Sequence, residues 1–249
     1  MRLQDQVAIV TGAGSGFGEG IAERFAREGA RVVLADIDEA AAKRVAERIG
    51  ANAVAVRTDV SKAADMDALL ESALGAFGAV HVVVNNAGTT HRNRPMLEVD
   101  EREFDRVYAV NVKSIFLSAK TFVPYFRRQG GGAFVNIAST AGVRPRPGLT
   151  WYNGSKGAVI TTSRSMAAEL GPDQIRVNVV NPVIGATGLL TEFMGVGDTP
   201  ENRKRFLATI PLGRFSTPED IASACVYFAS REAAFVTGAC LEVDGGRCV

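Results

Sequence analysis

A phenol and an ammonium stand four residues apart in "WYNGSK", as Tyr152 and Lys156. On a helix that spacing puts them on one face, one turn apart. A phenol of pKa about 10 is a poor base at neutral pH, but a fixed positive charge stabilises its phenolate and lowers that value. The pair could then take the hydroxyl proton of an alcohol while a hydride leaves the same carbon. Such chemistry needs a donor to hold the substrate oxygen, and Ser139, 13 positions before Tyr152, carries a hydroxyl. Thr140 beside it is the weaker candidate. An isolated Tyr and Lys at this spacing is also a common surface pattern, so the other requirement, a hydride carrier, has to be found elsewhere in the chain.

The segment "TGAGSGFG" meets that requirement. Gly12, Gly14, Gly16 and Gly18 let the backbone turn tightly and approach a pyrophosphate, whose charge sits well at a helix N-terminus. Ser15 and Phe17 lie inside the loop and are counted with its glycines as cofactor contacts. The pattern is not a strict G-x-G-x-x-G, because Phe17 and Glu19 stand where the third glycine would fall. Asp36 closes the next apolar run, where a carboxylate can accept both hydroxyls of an adenosine ribose and would repel a 2′-phosphate. Ser15 and Ile37 occupy the positions where a base could have rescued that phosphate, so NAD is favoured over NADP. The alternative for Asp36 is an ordinary strand-end turn residue.

The elements that must hold these groups follow from the hydrophobic pattern. Short β-branched runs, "QVAIVT", "RVVLAD", "AVAVRTD", "VHVVVNN", "AFVNIAS", "QIRVNVVN" and "CLEVDGG", alternate with helical stretches. The helices are expected over 17 to 28, 39 to 49, 62 to 77, about 100 to 128, about 151 to 170 and 218 to 229. This order predicts one α/β domain over 1 to 249, a doubly wound Rossmann-type fold with a seven-stranded parallel sheet and helices on both faces. Nearly continuous apolar strands suit a sheet covered on both sides. Ligands of such sheets bind beyond the carboxyl ends of the strands, which is where the unusual segments lie.

With 28 basic and 27 acidic residues among 249, the net charge of +1 gives no global field for nucleic acid or an anionic membrane, so a small-molecule partner is expected. Three cysteines, Cys225, Cys240 and Cys248, show no C-x-x-C spacing, which argues against a disulfide framework or a zinc site; no metal is expected. The first apolar run is too short for a signal-peptide core or a membrane span, and a reducing cytoplasm is the expected location.

Taken together, these residues resemble the short-chain dehydrogenase/reductase family over essentially the whole chain. The resemblance rests on "TGAGSGFG", on Asp59 and Val60 in "TDV", on "NNAG" at 85 to 88, on Asn111, on Ser139 and on Tyr152 with Lys156. It implies Tyr152 as general acid/base, Lys156 lowering its pKa and binding the nicotinamide ribose, and Ser139 orienting the substrate. Asn111 would hold a water in a proton relay from Lys156, and Asp59, Val60, Asn86, Ala87 and Gly88 would contact the cofactor. The family usually reads P-G-x-x-x-T after the sixth strand; here Val183 follows Pro182, with Gly185 two places later and Thr187 in position. Gly185 and Thr187 are still assigned to the cofactor. Family members are commonly tetramers, so the resemblance also implies a homotetramer, with the tail "RCV" reaching a neighbouring subunit.

Substrate choice is the open part. His91, Arg92 and Arg94 follow the fourth strand, and Arg144 and Arg146 the fifth, so both loops sit on the ligand edge. A guanidinium there could grip a sulfonate or carboxylate in bidentate fashion, or could be a solvated loop arginine or a subunit contact. His91 reads as a polar rim residue. The stretch 188 to 210 reads as a helical lid, with Leu189, Leu190, Phe193, Met194 and Phe206 on its underside or packed on the core. The primary expectation is an NAD-linked alcohol or aldehyde oxidoreductase, possible substrates including aryl or sugar sulfonates. A sugar or polyol dehydrogenase, a 3-oxoacyl carrier-protein reductase and a non-catalytic dinucleotide-binding sensor are the alternatives.

Overall fold

Val7–Thr11 (β1) is apolar almost throughout, yet alternate residues part company: Ala8 and Val10 join one core, Ile9 the other. The same two-residue period divides Arg31–Asp36 (β2) and Val82–Asn85 (β4), with Val32 and Leu34 facing one way and Val33 the other. Ala53–Arg57 (β3), Gly132–Ile137 (β5), Ile175–Pro182 (β6) and Cys240–Val243 (β7) complete a seven-stranded, wholly parallel sheet in the order β3-β2-β1-β4-β5-β6-β7. The computed structural model describes residues 1–185, 188 and 190–249.

On the first face lie Gly16–Arg27 (α1), Glu39–Ile49 (α2) and Pro218–Ala229 (α9), which bury Ile21, Phe25, Val45, Ile221 and Phe228. The opposite face takes Ala63–Phe77 (α3), Ser114–Gln129 (α5) and the end of Thr150–Leu170 (α6), with Met66, Leu69, Phe122, Phe126 and Leu170. Local chemistry starts several of these helices: the Asp38 carboxylate accepts from the Ala41 amide, and Thr217 and Asp220 form a reciprocal capping box at α9. Two short helices, Leu190–Met194 (α7) and Pro200–Leu207 (α8), cover the carboxyl edge between β6 and α9. Among the described residues no helix is long and apolar enough to cross a membrane.

The expected single helix over about 100 to 128 is instead three pieces. Glu101–Tyr108 (α4) runs into a π-helical turn, Ala109–Lys113, before α5 begins. A π turn carries one extra residue, and here it turns the buried Asn111 toward the loop after β4. The strand order reverses direction between β1 and β4, so the loops that follow these two strands diverge and leave a crevice at the carboxyl edge.

The approach of α1 to α9 depends on Gly20, where an added Cβ would run into the ring of Pro218. Gly20→Val should therefore cost about 1–3 kcal/mol, because neither helix backbone can give way without lifting its core face. Urea unfolding should show a lower midpoint with an unchanged slope. An unaltered midpoint would mean that the two helices part freely.

Candidate active site

One cavity of about 1070 Å³ follows the carboxyl edge of the sheet, and most of the residues singled out by the sequence line it. At one end stands the loop after β1. Gly12 has φ +63, and an added Cβ would lie 2.9 Å from the Ala87 Cα, so the backbone there passes where no side chain fits. The Asn86 side-chain amide donates to the Thr11 and Gly12 carbonyls at 2.8 and 3.2 Å, and the Thr11 hydroxyl oxygen accepts from the Asn86 and Ala87 amides at 3.0 Å each. The β1 and β4 loops are thereby tied together across the crevice. Thr11 went unnoticed in the sequence because a threonine at a strand end carries no signal of its own.

Asp36 ends β2 at the cavity wall and accepts from the Gly14 amide at 2.8 Å and the Asp38 amide at 3.0 Å. Gly14 and Gly18 shape the loop from behind and do not line the cavity, whereas Gly12, Ser15, Gly16 and Phe17 do. The structure adds a basic neighbour that the sequence reading did not place: Arg57 is the register partner of Asp36 on β3. Its guanidinium lies 3.8 Å from Asp65, and Arg57 is not on the cavity wall. Asp59 and Val60 line the cavity beside Asp36. Burial raises the Asp59 carboxyl, but hydrogen bonds from Ser61 and the Lys62 charge outweigh it and hold Asp59 below the usual range. Gly185 presses on Phe17, where an added Cβ would come within 2.5 Å of the ring, and it bridges to Ser216. The path after Pro182 is thus held with Val183 buried and its amide bonded to Val243. Thr187 and, within the expected lid, Leu189 lie outside the described residues.

The other end of the cavity is built on α6. Tyr152 and Lys156 are 6% and 5% exposed, with the ammonium 5.9 Å from the phenol ring centre. Lys156 Nζ donates to the Ile137 carbonyl at the end of β5, at 2.9 Å. Ser139, also on the wall, accepts from the Ala141 amide at 3.0 Å. Burial pushes the Tyr152 phenol up to about 12, with the Ser139 hydroxyl and the Arg146 guanidinium pulling the other way. Burial likewise pushes the Lys156 ammonium down to about 8. Asn111 is off the wall: its amide donates to the Thr89 carbonyl and Ser155 Oγ, and its oxygen accepts from the Thr89 amide, each at 2.9 Å. Ser155 in turn donates to the Tyr152 carbonyl at 2.7 Å, so the π turn is bonded to α6. Gly88 sits between Lys156 and Asn111; an added Cβ would lie 3.4 Å from Nζ and 3.5 Å from Asn111 Oδ1.

The expected substrate loops divide. His91 is 1% exposed rather than a rim residue, its Nδ1 lying 2.9 Å from the Arg92 carbonyl. Arg94 pairs with Glu103, and Arg92 reaches the Gly195 carbonyl; none of the three lines the cavity. Arg144 and Arg146 do. Arg144, however, spends its Nη1 on the main-chain oxygens of Arg247 and Val249, so the tail folds onto its own chain. Arg146 donates to the Phe193 carbonyl at 2.9 Å and lies over the Phe206 ring. Phe193 meets the Tyr152 ring edge-on, centroids 5.1 Å apart. Met194 and Phe206 also line the cavity, while Leu190 is buried in the core. Arg205 and Arg247 complete this wall, and neither stood out in the sequence.

The cradle fits a dinucleotide on structural grounds: a side-chain-free passage at Gly12, a carboxylate 36 residues into the chain at the far end, and a phenol and ammonium at the near end. Comparison with known proteins points the same way. A family model described as enoyl-(acyl carrier protein) reductase matches residues 12–247. The chain is 53% identical to 4-formylbenzenesulfonate dehydrogenase of Comamonas testosteroni, covering 99% of both. It is 40% identical to 2-(S)-hydroxypropyl-CoM dehydrogenase 3 of Xanthobacter autotrophicus, covering 98% of this chain and 97% of that protein. Among solved structures, 3-ketoacyl-(acyl-carrier-protein) reductase of Brucella melitensis complexed with NADH superposes with a TM-score of 0.94 at 46% identity, over 99% of this chain and 100% of that one.

Burial of the ammonium has a measurable consequence. Below about pH 8 Lys156 is charged in both the folded and the unfolded chain, and the folded form bears the desolvation cost, on the order of 3 kcal/mol. From about 8 up to the ordinary 10.5 only the unfolded chain keeps the proton, and the cost fades. Lys156→Met should melt higher than the parent at pH 7 without cofactor, and the gap should close as pH rises through that window. A gap independent of pH would contradict a buried charge.

Proposed function

The chain belongs to the short-chain dehydrogenase/reductase family, and on that premise we propose that it exchanges a hydride between NAD and an anionic aryl alcohol or its aldehyde. The observation that carries this reading is the placing of Ser139, Tyr152 and Lys156 on one wall of a cavity whose other end holds Asp36 and the Gly12–Gly18 loop. NAD, when bound, supplies the hydride acceptor. Asp36, held by the Gly14 and Asp38 amides, presents its carboxylate at the ribose end, which supports NAD over NADP, and Arg57 lies against Asp65.

In the oxidising direction Ser139 donates to the substrate hydroxyl oxygen, and Tyr152 as phenolate takes its proton while the C–H bond gives up its electron pair and the C=O bond forms. Lys156, fixed on the Ile137 carbonyl, keeps its charge beside the phenol and favours the phenolate. Gly88 leaves room between Lys156 and Asn111 for a water that returns the proton to solvent. Phe193, edge-on to Tyr152, offers an aromatic wall to a benzyl-type ring. Five arginines, Arg106, Arg144, Arg146, Arg205 and Arg247, line the cavity, and among the described residues none is paired with a side-chain carboxylate. That excess supports an anionic substrate, as does the sulfonate in the name of one relative. The segment 188 to 210 acts as the lid. The reading extends to a cytoplasmic homotetramer, which the exposed Leu212 and Phe235 support as subunit contacts.

Tyr152→Phe should lower kcat by about 10²–10⁴-fold while leaving NAD binding nearly intact, measured by NADH formation and by titration. Turnover equal to the parent would overturn the mechanism. In the same assay NAD should outperform NADP; the reverse, joined to activity on 3-oxoacyl thioesters, would favour a carrier-protein reductase instead.

A further inference from the structure

The tail after β7 is built to deliver Arg247. Asp244, 7% exposed, accepts from the Gly246 and Cys248 amides at 2.8 Å each, which folds the chain into a tight turn. Gly245 and Gly246 have φ +63 and +87, and added Cβ atoms would press on Ile210 and Pro211. The Leu212 amide donates to the Gly245 carbonyl at 3.0 Å. The turn is therefore seated against the end of the lid segment, and Arg144 clamps its far side through the main-chain oxygens of Arg247 and Val249. These contacts use the Arg247 backbone; the residue lines the cavity, and its charge acts on Arg146.

Arg146 stands on the same wall. Burial and the Arg247 charge both lower its pKa, while the Tyr152 phenolate would raise it, so this guanidinium lies in the field of both the tail arginine and the reacting phenol. Of its N–H groups, one donates to the Phe193 carbonyl. Two guanidiniums held in each other's field, one of them largely buried, repel unless an anion joins them. Neither has a carboxylate partner among the described residues.

We propose that Arg146 and Arg247 together form the seat for the anionic group of the substrate, a sulfonate or carboxylate, with Arg144 as the positioning residue that holds the tail. The seat rests on the anionic-substrate reading above and names its residues. The planar fork of a guanidinium matches the oxygens of such a group, and because Arg146 lies in the field of Tyr152, an anion held there would bring the other end of a short aryl alcohol toward the base.

The test uses the chain saturated with NADH for calorimetric binding of benzenesulfonate, and with NAD for oxidation of 4-(hydroxymethyl)benzenesulfonate and of benzyl alcohol. Loss of a charge-assisted contact in Arg247→Gln should weaken benzenesulfonate binding about ten- to a hundred-fold and lower the ratio of kcat/KM for the sulfonated over the uncharged alcohol by a similar factor. Arg146→Gln should do the same, and Arg247→Lys should recover part of the loss. Arg144→Gln should raise KM for the sulfonated alcohol more than it lowers kcat, a split that mere destabilisation does not produce. Benzenesulfonate binding in Arg247→Gln equal to the parent would overturn the seat. A parent chain that oxidises benzyl alcohol but binds no benzenesulfonate would also overturn it, leaving the oxidoreductase reading standing. Arginine-dependent benzenesulfonate binding without oxidation of either alcohol would keep the seat and remove the proposed substrate.

Discussion

A lysine ammonium and a phenol are both withdrawn from water one helical turn apart, and burial works against the charged form of each: it drives Lys156 toward its neutral form and holds Tyr152 in its protonated one. Most of the surrounding structure holds the pair in spite of that tendency. The carbonyl of Ile137 anchors the ammonium from the end of β5, and Asn111 and Ser155 fasten the helix backbone behind Tyr152. The π turn exists where Asn111 does, because an ordinary helix would carry that amide past the Thr89 backbone it now bonds twice. The proposed acid/base pair is thus set on a long helix anchored to a strand end rather than on loops, with only the covering wall drawn from shorter elements.

The two ends of the cavity differ in how they meet charge. Around Asp36 and Asp59 the backbone supplies donors and the side chains are acidic; elsewhere five arginines share the wall, with Arg146 in the field of Tyr152. A net charge of +1 conceals this separation entirely. The polarity is local, and a ligand with an electropositive-tolerant sugar at one end and an anion at the other would satisfy both.

Much of the fold was legible because parallel strands buried on both faces read as apolar runs, and seven such runs stand in the chain. The glycine loop, Asp36, Ser139, Tyr152 and Lys156 were legible for a different reason: each owes its place to local spacing relative to a strand end or a helix turn. Arg144 and Arg146 looked equivalent in "RPRPG", yet one turns to backbone carbonyls of the tail and the other to the lid. Nothing local distinguishes them, since their partners come from segments about 50 to 100 positions away. Arg247 was invisible for the same reason, its position being set by a turn whose meaning depends on Ile210 and Pro211. Arg94 was misplaced because Glu103, on the helix that follows, captures it. The interruption of the long helix left no mark because alanine, valine and lysine suit an α-helix as well as a π turn.

The close seat of α1 on α9 sets an order of events during folding. Arg24 on the first helix pairs with Glu219 on the ninth, 195 positions later, and Ile21 and Phe25 share one core with Ile221 and Cys225. The glycine loop opens α1, so its helix cannot be fully covered until almost the whole sheet has been laid down. Contacts of such separation slow the search for the native state and leave the first βα unit with an uncovered apolar face meanwhile. A nascent chain still tethered through residue 200 would have made the glycine loop proposed to meet the cofactor without the α9 support behind its helix, so the earliest motif in the chain is among the last parts to be fully packed.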